Sequence, residues 1–248
     1  MAEKRPYVVT IAGHDPSSGA GLNADIKTFE QHKVQGLSVC TAITVQTDDK
    51  FQSVKWVDES LIIEQLEMLL VHFNPSHFKI GITENTNSLS AIIDKILKHN
   101  SKSKIIWDPV LKTSTGSDLL EVEQEKLFSI LEKIELITPN YNESIILGNN
   151  QDGMTATENL AKYCKVLLKG GHNPNSIGRD YLFTNEKVYP FKPKAKNVSS
   201  KHGSGCVYAS ALTACLAKGY PLVKACLKAK QYTEKFLGSN KSLLGYHK

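Results

Sequence analysis

The sequence predicts a three-layer α/β/α sandwich with a mostly parallel central sheet and an edge hairpin. Two observations carry this expectation. Short β-branched runs alternate with longer amphipathic segments over most of the chain, and parallel strands joined by right-handed crossovers place helices on both faces of a sheet. Near the C-terminus the rhythm changes to two extended runs separated by Asn185-Glu186, which read as a hairpin.

In chain order, the strands are expected at Tyr7–Ala12, Ser38–Val45, His77–Ile80, Lys104–Trp107, Leu136–Thr138 and Val166–Lys169, with the hairpin at Arg179–Thr184 and Lys187–Phe191. Apolar residues at three- and four-residue spacing predict helices over Gly19–Lys33, Ser60–Phe73, Asn87–His99, Glu123–Lys133, Asn142–Leu147, Thr155–Tyr163, Ser204–Lys218 and Leu222–Phe236. No internal repeat and no Pro-, Gly- or Ser-rich linker divides the chain, so one domain over residues 1–248 is expected.

Composition narrows the function classes. With 41% hydrophobic and 22% charged residues the chain has a globular profile. Its net charge of +5 comes from scattered lysines rather than the dense basic block of a nucleic-acid or membrane-surface binder, and it suits an anionic small ligand. Neither a nucleic-acid partner nor a membrane segment is expected. Five cysteines, Cys40, Cys164, Cys206, Cys215 and Cys226, form no Cys-x-x-Cys pair and point to a reducing, cytoplasmic setting. The apolar run from Tyr7 to Ala12 is too short for a signal peptide and reads as a first strand.

In such a fold ligands bind beyond the strands' carboxyl ends. The loop Gly13-His14-Asp15-Pro16-Ser17-Ser18-Gly19-Ala20-Gly21 lies there and would let backbone approach a ligand, although a plain turn fits it equally well. One helical turn on, Asp25 is either a carboxylate facing a ligand or a solvated surface acid. Gln46 closes the second strand, where its amide could read a heteroaromatic edge or stand exposed.

Asp108 follows the strand Lys104–Trp107, and Asn140 and Glu143 follow the next one. Two acids at neighbouring strand ends suit Mg2+ and phosphate, since magnesium is commonly held by one or two carboxylates plus water and phosphate oxygens. Loop capping by Asp108 and a helix-dipole role for Glu143 are the alternatives. Lys169 could meet nucleotide phosphates as a point charge.

The most informative segment is Lys201-His202-Gly203-Ser204-Gly205-Cys206, which runs into an apolar helix. Free N–H groups of Gly203, Ser204, Gly205 and Cys206 at a helix start would form an anion hole for a transferring phosphoryl group. The same position is expected to lower a thiol's pKa, which would make Cys206 a base toward a substrate hydroxyl and the most reactive of the five cysteines. Cys215 and Cys226, on apolar helix faces, read as buried packing. P-loop, nucleophile-elbow and His-Glu-x-x-His patterns are absent from the sequence.

Taken together, these segments resemble hydroxymethylpyrimidine/phosphomethylpyrimidine kinases of the ribokinase-like superfamily. The likeness is carried by Ala12-Gly13-x-Asp15-Pro16-Ser17-x-Gly19-Ala20-Gly21, Ala24-Asp25-x-Lys27-Thr28-Phe29, Thr44-x-Gln46-Thr47, Lys79-Ile80-Gly81, Asp108-Pro109-Val110, Thr138-Pro139-Asn140-x-x-Glu143, Lys169-Gly170-Gly171-His172 and His202-Gly203-Ser204-Gly205-Cys206. It implies ATP-dependent phosphorylation of the hydroxymethyl group of 4-amino-5-hydroxymethyl-2-methylpyrimidine in thiamin biosynthesis, and leaves open whether the monophosphate is also an acceptor. It implies a substrate pocket at Gly13, Asp25, Gln46, Ile82 and Val110, with ATP and magnesium near Asp108, Asn140, Glu143 and Lys169, Cys206 as base, and a homodimer. The chain departs from the family in having Ile82 where Met is common. It also has Ser114 before Thr115-Gly116 where the family carries lysine, so that Lys112 would substitute. Pyridoxal kinase is the near alternative, and a catalytically idle pyrimidine-binding relative is the distant one.

Overall fold

The computed structural model describes residues 5–112, 116, 119–120 and 122–248. Along β1 (Tyr7–His14) neighbouring side chains point to opposite faces, yet Val8, Val9 and Ile11 are all fully buried. A strand buried on both sides needs cover on both sides. Val9 and Ile11 enter a cluster with Leu66, Leu70, Ile92 and Ile96, whereas Val8 packs with Phe29, Val34 and Ala214.

The sheet order is β3-β2-β1-β4-β5-β6-β7-β8-β9. The parallel part consists of β2 (Gln35–Gln46), β1, β4 (His77–Ile80), β5 (Lys104–Trp107), β6 (Leu136–Ile137) and β7 (Lys165–Leu168). At one edge β3 (Phe51–Trp56) runs antiparallel to β2; at the other, β8 (Asp180–Phe183) and β9 (Val188–Phe191) form the expected hairpin. Helices α2 (Glu59–Phe73), α3 (Thr86–His99), α4 (Gln124–Leu131), α5 (Tyr141–Leu147) and α6 (Gly153–Leu160) contribute to the core on one face. The opposite face carries α1 (Gly21–Gln31), α7 (Ser204–Ala217) and α8 (Leu222–Leu237). No helix among the described residues is long and apolar enough to cross a membrane.

Every predicted strand and helix is present, with three informative shifts. Strand β3 was not foreseen, because an edge strand without a single buried residue leaves no apolar alternation to read. Helix α1 starts at Gly21 rather than Gly19, since the Asp15 carboxylate accepts the N–H groups of Gly19 and Ala20 at 3.1 and 2.8 Å. Thr138 leaves β6, and its hydroxyl donates instead to Asp108 Oδ1 at 3.0 Å.

Leu66, fully buried on α2, has no polar role. Leu66→Ala is expected to cost about 2–5 kcal/mol in urea unfolding, the usual worth of such a deletion with its cavity.

Candidate active site

Parallel strands deliver their loops to one edge, and there a cavity of about 690 Å³ opens. Lining it in sheet order are Gln46 at the end of β2, Gly13 on β1, Ile82 after β4, Asp108 and Val110 after β5, Asn140 and Glu143 after β6, and Lys169 after β7. The start of α7 closes over the middle with Gly203, Ser204, Gly205 and Cys206. Residues distant in sequence thus share one site because the topology brings their strand ends together.

Two glycine loops meet at van der Waals distance. A Cβ on Gly203, whose φ is +73°, would lie 2.0 Å from the Gly19 carbonyl oxygen, and one on Gly21, at φ +57°, would lie 2.2 Å from that of Gly13. No other residue type permits either approach. Asp15 and His202 fasten the contact: His202 Nε2 lies 3.0 Å from Asp15 Oδ2, which also accepts the Gly19 and Ala20 N–H groups. Burial pushes the Asp15 carboxyl up, but hydrogen bonds from His202, Ser17 and Ala20 outweigh it and hold it well below its ordinary range.

Around Asp108 the charges alternate. Lys169 Nζ donates to Asp108 Oδ1 at 2.7 Å and lies 4.0 Å from Glu143 Oε2. Glu143 and Asn140 form a capping box at the start of α5, with Asn140 N donating to Glu143 Oε2 at 2.6 Å and Glu143 N to Asn140 Oδ1 at 2.9 Å. Glu143 therefore caps a helix and lines the cavity at once. Burial and the neighbouring Asp108 push its carboxyl up to about 7 against the pull of Lys169. Burial also opposes ionisation of Asp108, yet Lys169 and Lys79 hold it below its usual value.

Two expectations need correction. Asp25 neither reaches the cavity nor faces solvent: it is fully buried and accepts hydrogen bonds from Thr10 Oγ1 (2.6 Å), Ser210 Oγ (2.6 Å) and Lys79 Nζ (2.9 Å). Its place one turn inside α1 aims it down at β1 and β4 rather than up at a ligand. Cys206 lines the cavity at the start of α7, but its thiol is not held as a thiolate. Burial pushes it up to about 11, with Lys79 and the Gly21 N–H pulling down and Asp108 and Asp25 pushing up. Desolvation of a single anion thus exceeds the help of one helix terminus.

At one end of the cavity Gly13 and Ile82 are in close contact, since a Cβ at Gly13 would fall 2.5 Å from Ile82 Cδ1. Half-buried Gln46 and Val110 complete that wall with Phe51, the contribution of β3. Lys112 lines the same cavity, while residues 113–115, with which its substitution was argued, lie outside the described residues. At the other end Ile177, Val198 and Leu237 form an apolar wall. A buried Asp180 supports it, bonded to Lys230 and Tyr208 at 2.8 Å each and to the Gly170 N–H at 2.8 Å.

Sequence reasoning assigned no role to His202, Asp15 or Lys79, although all three stand in quoted motifs. The signal for Lys79 was a lysine in the middle of His77-Phe78-Lys79-Ile80: a charge inside a parallel strand covered on both faces requires a buried partner.

A mostly parallel sheet covered on both faces, with a glycine-lined helix start and a charged cluster at its carboxyl edge, is the architecture of ribokinase-like small-molecule kinases. Residues 15–247 match the phosphomethylpyrimidine kinase family, and the chain belongs to it. It is 32% identical over 240 residues to the hydroxymethylpyrimidine/phosphomethylpyrimidine kinase of Staphylococcus aureus (strain Mu50), covering 92% of this chain and 87% of that one. Among solved structures it resembles the phosphomethylpyrimidine kinase of Clostridium difficile 630 (TM-score 0.78, 30% identity, 93% of this chain and 99% of that one). It also resembles Staphylococcus aureus pyridoxal kinase in complex with AMP-PCP (TM-score 0.84, 25% identity, 97% and 91%).

The Asp15–His202 joint makes a testable statement about acid stability. Asp15 has a folded pKa below its ordinary 3.8, so its contribution is fully present above that value and disappears as pH falls toward the folded one. Asp15→Asn should lose about 1–3 kcal/mol near neutrality. In thermal melts its deficit relative to the parent should shrink steadily below about pH 4.

Proposed function

We propose that the chain transfers the γ-phosphoryl group of ATP to the hydroxymethyl group of 4-amino-5-hydroxymethyl-2-methylpyrimidine, with the resulting monophosphate as a second acceptor. The observation that carries the proposal is the convergence on one cavity of a glycine-lined helix start, Lys169 and a half-buried polar reader, Gln46. Family membership supports the reaction class. The pyridoxal kinase neighbours match the fold slightly better, by TM-score, and the sequence less well; since fold alone does not choose the acceptor, the higher identity to pyrimidine kinases favours the pyrimidine.

In this mechanism the Gln46 amide, which makes no side-chain hydrogen bond among the described residues, donates to and accepts from the ring edge. Gly13, Ile82 and Val110 supply flat apolar walls. The N–H groups of Gly203 to Cys206 take the charge that gathers on the phosphoryl oxygens in flight, and Lys169 neutralises the departing phosphate. Magnesium fits beside them on one structural ground: Asp108 Oδ2 is buried and accepts no hydrogen bond, which leaves an ionised oxygen in want of a cation. Asp108 and Glu143 would hold the ion, which supplies charge neutralisation at the phosphates. Asn140 fixes Glu143 through the capping box. Cys206 passes its thiol proton to solvent water and, as the thiolate, accepts the hydroxyl proton.

One cytoplasmic domain, residues 1–248, assembled as a homodimer belongs to the same reading. All five cysteines are free, in keeping with a reducing compartment, and exposed Ile43, Val45, Met68 and Val71 offer apolar surface for a second copy.

Purified protein with magnesium and ATP should release ADP with the hydroxymethylpyrimidine far faster than with pyridoxal or no acceptor; equal rates with and without the pyrimidine would dismiss the assignment. Gln46→Ala should weaken pyrimidine binding by about 1–3 kcal/mol in calorimetry, the loss of two neutral hydrogen bonds, and leave ATP binding unchanged. Cys206→Ala should reduce kcat by roughly 10²–10⁴, and Cys206→Asp should retain more activity than Ala because a carboxylate can take the same proton.

A further inference from the structure

Below the floor of the cavity lies an ion pair on which the transfer chemistry described above makes no direct call. Lys79 and Asp25 have fully buried side chains, 2.9 Å apart. Burial pushes the Asp25 carboxyl above its ordinary value, against the pull of Lys79 and of the hydroxyls of Ser210 and Thr10, which converge on its two oxygens. A pair of this kind adds little to stability, since removing two charges from water cancels most of their attraction, and an apolar pair of equal volume commonly does as well. Its location is what distinguishes it.

Asp25 follows Gly21 by one turn of α1, and Ser210 follows Cys206 by one turn of α7. The two helices are joined one turn beyond Gly21 and Cys206, where the Ser210 hydroxyl donates to Asp25 Oδ1 at 2.6 Å. Lys79 stands beside that bond and also borders the cavity, where a Cβ on Gly81 would meet its Nζ at 3.0 Å. We propose that Lys79 is a positioning residue for phosphoryl transfer: anchored by Asp25, it keeps a fixed positive charge beside Cys206 while Asp25 holds the Cys206 turn of α7 onto α1.

Four charged groups act on Cys206 from the packed elements: Lys79 from β4, Asp25 from α1, Asp108 beyond β5 and Lys169 beyond β7. Lys79 is the foremost of those favouring the thiolate, and burial together with the two acids works against it. Lys169 is already committed to Asp108 at 2.7 Å. With Lys79 removed, the sulfur would face burial and two acids with only the Gly21 N–H and a compensated lysine in its favour.

The inference rests on Cys206 being the base of the proposed transfer, so its test reads the thiol without nucleotide or acceptor. Alkylation of Cys206 by iodoacetamide, followed by peptide mass spectrometry between about pH 7 and 10, reports the thiolate fraction. In Lys79→Met/Asp25→Leu, which exchanges the pair for apolar side chains, a cooperative melt should be kept. Labelling of Cys206 should fall about fivefold or more at each pH, because the Lys79 charge lost with the pair favours the thiolate more than the lost Asp25 charge opposes it. Lys79→Arg, which keeps the charge, should label within about threefold of the parent. In steady-state assays kcat should fall in the paired variant with KM for ATP unchanged. A folded paired variant that labels at the parent rate overturns the proposal and leaves Lys79–Asp25 as packing, with the pyrimidine kinase assignment untouched. Failure of the acceptor assay would leave the labelling test standing. If both variants unfold, ¹⁵N-lysine spectra of the parent still decide. Lys79 must remain an ammonium throughout that pH range, and a neutral amine there overturns the proposal.

Discussion

The N-termini of α1 and α7 meet over the carboxyl edge of the sheet, and the chemistry of the molecule depends on how closely their backbones approach. Gly19 and Gly203 touch where any Cβ would overlap a carbonyl oxygen, and Gly21 does the same against Gly13. Such contact sets the α7 start, whose Gly203, Ser204, Gly205 and Cys206 line the cavity, directly against the loop before α1. Because both helix dipoles then point into one small volume, the edge is electropositive before any lysine is counted. Asp15 answers part of that field by collecting the Gly19 and Ala20 N–H groups and the His202 ring.

The remaining charges are arranged in a row of alternating sign. Asp25, Lys79, Asp108, Lys169 and Glu143 come from five different elements, and their balance explains why so many of them can be buried together. Each acid has a lysine, so no isolated ion is left in a poorly polarisable interior. The exception is one oxygen of Asp108, which has no hydrogen-bond partner; it lies where the row meets the cavity, the place a divalent cation would need. Cys206 enters the same row as a neutral thiol. A neutral thiol there adds no further anion to a row that already holds three acids.

Much of this was legible from residues alone. Periodicity located every parallel strand, because a run such as Lys104–Trp107 is apolar on both faces, and located the helices by their three- and four-residue spacing. The motif Gly203-Ser204-Gly205-Cys206 placed the start of α7 at the cavity, where all four residues line it. Strand β3 escaped, as an edge strand has no burial pattern to reveal it. Asp25 was assigned to the ligand because a sequence gives a carboxylate's position along a helix and not the face it turns to the sheet.

By itself, then, the sequence determined the order of elements, the fold class and which loops gather at the carboxyl edge, all of which follow from local hydrophobic pattern and backbone freedom. Only the tertiary structure decided which charges pair. Lys79 and Asp25 lie far apart in the chain, as do Asp15 and His202, and their partnership is fixed by the register of β1 against β4 and by the packing of α7 on α1. The state of Cys206 was decided at the same level. A helix start favours a thiolate, but desolvation and neighbouring charge act through space, and no spacing along the chain reports them.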